Sequence, residues 1–183
     1  MRERKTRAPR RLEADALWER ALRILAGRAC SSGEMRQKLR DRAARAEDVE
    51  VIVGRLKDYG YLNDRLFAEG FAAARLENQR LGKTRVSEDL RRRRVAPALA
   101  EATVQKAYEN VDEVALIEEF IRRKYRAAPR QALFGDQKDL ASAYRKLMRA
   151  GFASGNAIRA LKRFAANPEL LDGFEPPVEA EEP

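Results

Sequence analysis

Residues 56–64, LKDYGYLND, stop one helix and start the next. Upstream, Val49, Ile52, Val53 and Leu56 recur on one face of a helix expected over about residues 47–59. Gly60 is placed to close it in a left-handed cap, a conformation that glycine adopts without steric cost. Asn63 or Asp64 then offers a side-chain oxygen to the free amides of a following helix, which carries Leu66, Phe67, Phe71 and Ala74. Two amphipathic helices joined this tightly point to a chain assembled from short helical units. Sustained two-residue alternation is absent and Ala, Leu, Arg and Glu are abundant, so helices rather than strands are expected throughout.

The same punctuation recurs on either side. Upstream, a first helix is expected over about residues 15–28, with Leu17, Ala21 and Leu25 as its apolar stripe and Trp18 and Leu22 adjoining. Ser31-Ser32-Gly33-Glu34 is a capping-box pattern that opens a second helix carrying Met35 and Leu39. Downstream, Gly82 precedes a helix with Val86 and Leu90, and Pro97, at a first helical position, opens one with Val104, Ala107 and Tyr108. A third triplet starts with Val114, Ile117, Phe120 and Ile121 and breaks at Ala127-Ala128-Pro129. It resumes at Asp136 with Leu140, Tyr144 and Leu147, stops at Gly151, and ends with Ala157, Ala160, Leu161 and Phe164.

Aligning Leu39 with Leu90 and Leu147 sets offsets of 51 and 57 residues. The same offsets bring Val49 onto Ala100 and Ala157, Ile52 onto Thr103 and Ala160, Val53 onto Val104 and Leu161, and Leu56 onto Ala107 and Phe164. One such triplet buries little surface, whereas three in series share a core. The expected fold is therefore all-α, an elongated, curved array of three tandem three-helix repeats, with a single irregular bundle as the alternative. The expected boundaries are a disordered basic arm over 1–12, repeats over 13–62, 63–110 and 111–166, and a disordered acidic, proline-containing tail over 167–183.

The chain has 183 residues, 37% of them charged, and a formal net charge of +9. Such a balance points to an acidic partner, nucleic acid first. Positive charge is clustered: in the arm, over Arg80–Arg94, and over Arg122–Arg130. The candidate binding residues are Arg80, Lys83, Arg85, Arg91, Arg92, Arg122, Arg123, Lys124 and Arg126, reading as contacts to phosphates. Within Arg91–Arg94 the helical period separates the charges. With Leu90 in the core, Arg91 and Arg92 lie roughly 100° and 200° away and face solvent, whereas Arg93 and Arg94 return to within about 60° of it. The latter two are expected beside the core or at the helix end, where a cation is favoured.

Several chemistries find no support. Histidine is absent and cysteine occurs once, Cys30, so no zinc site or internal disulfide is expected and no cofactor is implied. Gly82-Lys83-Thr84 resembles the end of a phosphate-binding loop, but Glu77 stands where that loop needs its first glycine. Acidic pairs such as Glu118-Glu119 sit on a helix surface with nothing to separate their pKa values. No active site is expected, and no stretch approaches the roughly 18 apolar residues of a membrane span. A reduced, cytoplasmic, monomeric protein is the expectation.

Three strings taken together are more specific. Ser31-Ser32-Gly33-Glu34-Met35-Arg36-Gln37-Lys38-Leu39, then Gly60-Tyr61-Leu62-Asn63-Asp64, then Arg75 through Gly82 to Leu90 resemble the signature of the RecX family of regulatory proteins. That signature is an S-x-x-E-L-x-x-x-L helix, a G-Y-L-D-D turn and an R…G…L segment. Asn63 replaces an Asp, Met35 replaces a Leu, and Ala43 and Arg94 stand where a glycine commonly ends the second helix of a repeat. The resemblance implies three tandem three-helix repeats and a regulator of the RecA recombinase. Such a regulator lodges in the groove of the RecA–DNA filament and inhibits ATP hydrolysis, strand exchange and coprotease activity. The alternative is a general nucleic-acid-binding helical repeat with no recombinase partner.

Overall fold

The structure, a computed structural model, describes residues 11–125 and 133–171. It contains α1 (Ala14–Gly27), α2 (Ser32–Arg40), α3 (Ala46–Asp58), α4 (Asp64–Ala74), α5 (Lys83–Arg92), α6 (Pro97–Ala107), α7 (Glu113–Lys124), α8 (Gln137–Arg149) and α9 (Ser154–Lys162). A π-helical turn, Arg75–Gln79, prolongs α4, and a 3-10 turn, Pro168–Leu171, follows α9. Among the described residues, β structure is limited to two isolated bridges, Leu12 to Ala43 and Phe134 to Ala165. The fold is all-α and built from tandem three-helix repeats. Of the arm expected over 1–12 and the tail expected over 167–183, residues 1–10 and 172–183 lie outside the described residues, as does the break at Ala127–Pro129. The parts that are described are not disordered: Leu12 bridges Ala43, and Pro168–Leu171 forms the 3-10 turn with Leu171 buried.

The chain forms two compact units. The first comprises Met1–Gly70 with Leu90–Ala100, the second Phe71–Asp89 with Glu101–Pro183, so α4, α5 and α6 each contribute to both.

In the first unit, α1, α2 and α3 pack around Leu17, Ala21, Met35, Leu39, Val49, Ile52, Val53, Leu56 and Leu62, all buried. The turn read from LKDYGYLND closes as expected. Gly60 has φ +73°, the Tyr61 amide reaches back to the Leu56 carbonyl at 2.8 Å, and the Asn63 carboxamide accepts from the Leu66 amide at 3.0 Å. Asp64 does something the sequence did not show. Its carboxylate accepts from the Ser32 amide at 2.6 Å, so a residue of α4 caps the start of α2. Ser31 caps the same end through the Glu34 amide at 3.0 Å. Leu66, expected on the inner face of α4, is 65% exposed; Ala68 and Ala72 are buried instead. Leu22 is likewise exposed, whereas Leu25 and Trp18, partly buried, pack against the core beside Leu17 and Ala21.

In the second unit, α7, α8 and α9 pack around Ile117, Ile121, Phe134, Leu140, Leu147 and Leu161. Asp112 and Asp136 cap α7 and α8 through amides one turn on, at 2.9 and 2.8 Å. The start of α5 docks on the end of α8: the Gly82 amide donates to the Ala150 carbonyl at 2.8 Å. A Cβ at Gly82 would lie 2.1 Å from the Gly151 carbonyl oxygen, so only glycine fits. The repeat alignment carries into burial. Leu39, Leu90 and Leu147 are all buried, as are Val49, Ala100 and Ala157, and only Ala107 of the aligned inner positions stays half-exposed.

Candidate nucleic-acid interface

The four arginines of α5 and its end separate by geometry. Arg91 and Arg92 are exposed. Arg93 turns inward, with its guanidinium 2.9 Å from the Glu34 carboxylate, donating to the Ala29 carbonyl at 3.2 Å and lying over the Phe67 ring at 5.2 Å. Arg94 has a left-handed backbone, φ +56°, and ends α5. Glu34, read as half of a capping box, is held by Arg93, by Arg28 at 3.2 Å and by the Cys30 thiol at 3.5 Å.

The second unit carries a cleft of about 400 Å³ whose polar wall is almost wholly basic. Arg75 of the π turn, Arg85 of α5, Lys124 of α7, and Lys146 and Arg149 of α8 line it with one carboxylate, Asp89. Leu81, Phe120 and Ala150 supply an apolar floor. The spacing follows from helix geometry, because Phe120 and Lys124, or Lys146 and Arg149, lie one turn apart and project side by side. Asp89 stands 3.2 Å from Arg85 and 3.7 Å from Arg75, which fixes both guanidinium groups at the rim. Arg75 also lies over the Phe71 ring at 4.7 Å. Lys146 donates to the Tyr125 hydroxyl at 3.1 Å. Among the described residues, Lys124 and Arg149 make no ion pair, and both are exposed.

Of the residues read as binding candidates, the cleft brings together Arg85 and Lys124. Others have structural employment. Arg80 pairs with Glu119 at 2.5 Å and donates to the carbonyls of Leu76 and Glu77, which closes the π turn. Arg122 pairs with Glu118 at 2.6 Å and lies over Phe164, and Arg123 donates to the Asn78 carbonyl at 2.8 Å. Lys83 lines a separate hollow of about 370 Å³ with Tyr108, Glu113 and Asn156. There burial, with the nearby Glu113 carboxylate, pushes the Tyr108 hydroxyl up to about 12. Arg126 lies outside the described residues. Arg75, Lys146 and Arg149 were not anticipated. Arg75 is visible only as part of a signature string, and the cations of α8, Lys138, Arg145-Lys146 and Arg149, form no long run and alternate with apolar core positions.

A ring of guanidinium and ammonium groups on an apolar floor can hold phosphates, the arginines by paired hydrogen bonds and the lysines as point charges. Among the described residues there is no cluster of three or more metal-ligating side chains.

The family model described as "RecX, first three-helix domain" matches residues 18–56, and "RecX, second three-helix domain" matches residues 63–104. These spans fall on α1 to α3 and on α4 to α6. The chain is 36% identical over 180 residues to the regulatory protein RecX of Deinococcus radiodurans, covering 97% of this chain and 78% of that one. The chain belongs to the RecX family. The RecX of Trichlorobacter lovleyi is 32% identical over 134 residues, 73% of this chain and 86% of that one. The crystal structure of RecX from Lactobacillus salivarius superposes with a TM-score of 0.64 at 16% identity, covering 82% of this chain and 96% of that one. That likeness concerns the fold. RecX proteins are named as regulators, and this chain shares that regulatory class. No helix among the described residues is long and apolar enough to cross a membrane.

Proposed function

We propose that this RecX-family protein is a cytoplasmic, monomeric, non-enzymatic regulator that binds the RecA nucleoprotein filament and lowers its ATPase, strand-exchange and coprotease activities. The basic cleft carries the reading. Five cations face one carboxylate there, and three of them, Lys124, Lys146 and Arg149, make no ion pair among the described residues. The ligand is DNA backbone phosphate within the filament, met by Lys124, Lys146 and Arg149, with Arg75 and Arg85 held ready by Asp89. Arg91 and Arg92, exposed on the last turn of α5, form a second contact on the first unit.

The test is RecA ATPase on single-stranded DNA with added protein at stoichiometric ratios. The wild type should suppress turnover, and Lys124→Glu/Arg149→Glu and Arg91→Glu/Arg92→Glu should each suppress it less. Unchanged ATPase and strand exchange with wild-type protein would sink the reading. Salt-sensitive binding to naked DNA that accounts for every effect would instead favour a general nucleic-acid-binding repeat.

A further inference from the structure

Two exposed tyrosines on the first unit, beside a tryptophan that packs partly buried against the core, form a surface that the cleft does not explain. Trp18 of α1, Tyr59 at the end of α3 and Tyr61 just past the Gly60 cap stand in series, with ring centroids 6.1 Å apart at each step. The planes are inclined by 68° and 52°, so Tyr59 and Tyr61 do not lie face to face on their neighbours. Tyr59 is 61% exposed and Tyr61 57%. The Arg55 guanidinium lies over the Trp18 ring at 4.5 Å, and Lys57, also on the last turn of α3, is exposed beside Asp58.

The turn itself asks for none of these rings. Leu56 and Leu62 fill the core, Gly60 supplies the positive φ, and Asn63 caps α4. Tyr59 meets the edge of Trp18, yet both tyrosines leave more than half of their surface exposed, so the pair marks a contact surface. Separate aromatic faces beside an arginine and a lysine, on a chain of net charge +9, complement a flexible polyanion with flat apolar groups. Unpaired bases stack on such rings while neighbouring cations meet the phosphates. Duplex DNA, with its base faces already stacked, cannot use them.

We propose that Trp18, Tyr59 and Tyr61, with Arg55, form a platform for the bases of single-stranded nucleic acid. This deepens the reading above and rests on it only in that the filament carries single-stranded DNA.

Trp18 is the only tryptophan in the chain and therefore reports on the platform directly. Titration of the full-length protein with oligo(dT) should quench its fluorescence. Tyr59→Ala/Tyr61→Ala should weaken oligo(dT) binding about thirtyfold or more, the loss of two stacked bases at about 1 kcal/mol or more each. Affinity for a blunt duplex of equal length should be unchanged. Unquenched Trp18 at saturating oligo(dT), or equal loss for duplex and single strand, would overturn the platform. So would a double variant that binds oligo(dT) normally but no longer acts on RecA filaments, which would assign the rings to a protein contact. Quenching by oligo(dT) without any effect on RecA leaves the platform standing and removes the recombinase reading.

Discussion

Arg94 shows how much one backbone torsion decides. Its φ is +56°, and the Val95 amide closes back to the Leu90 carbonyl at 3.1 Å. Gly151 at the end of α8 does the same with φ +84° and the Phe152 amide on Leu147 at 3.3 Å. A side chain in the left-handed region costs about 1–2 kcal/mol, partly offset in Arg by its stiffer unfolded chain. Arg94→Gly should therefore raise stability by about 0.5–1 kcal/mol, read as a higher urea midpoint at unchanged slope. The opposite change at Gly33 should be costly, because a Cβ there would lie 2.2 Å from the Arg94 carbonyl oxygen. Gly33→Ala should lose about 1–3 kcal/mol in the same measurement. Cys30 is buried, and that burial, with the Glu34 carboxylate next to it, pushes its thiol up to about 11. Its native reaction with a thiol reagent at pH 8 should be far slower than after unfolding. The raised value favours the folded state below the unfolded thiol's pKa, a contribution lost as pH climbs from 9 towards 11.

At the scale of the element, helix ends do more than terminate helices. α2 begins with two caps of different origin, Ser31 from its own chain segment and Asp64 from the next repeat. Each leaves a main-chain donor without a partner when removed, so Ser31→Ala and Asp64→Ala should each cost about 1 kcal/mol in chemical unfolding. Removing Asp64 also deletes a tie between α4 and α2, and the two losses should be less than additive, since both serve one helix terminus. Thus the acidic residue after the Gly60 turn serves a helix more than thirty positions upstream, while its neighbour Asn63 caps the helix that follows.

For the whole molecule, net charge matters less than where cations are left without partners. Arg80, Arg93 and Arg122 are held by Glu119, Glu34 and Glu118. Lys124 and Arg149 are not ion-paired among the described residues. Binding to single-stranded DNA should accordingly weaken with salt, and Lys124→Ala/Arg149→Ala should flatten the log–log slope by about 1.4, roughly 0.7 for each phosphate no longer neutralised. A change of the same formal charge at Arg80 and Arg122 should flatten it less, because those groups already neutralise carboxylates.

What the sequence determined by itself was local and periodic. Gly60, Pro97, Ser31 and Asp136 set helix ends through bonds made within a few residues, and the 3.6-residue period placed Leu39, Leu90 and Leu147 in the core. The same period separated Arg91 and Arg92 from Arg93. The tertiary structure decided which charges were spent on neighbours far along the chain. Nothing in the sequence near Arg93 names Glu34, nothing near Asp64 names Ser32, and nothing near Lys146 names Arg75. A run of four arginines is conspicuous as text, but a basic cleft forms where cations from the π turn, α5, α7 and α8 converge around one carboxylate, Asp89. That convergence depends on helix packing, which local spacing does not encode.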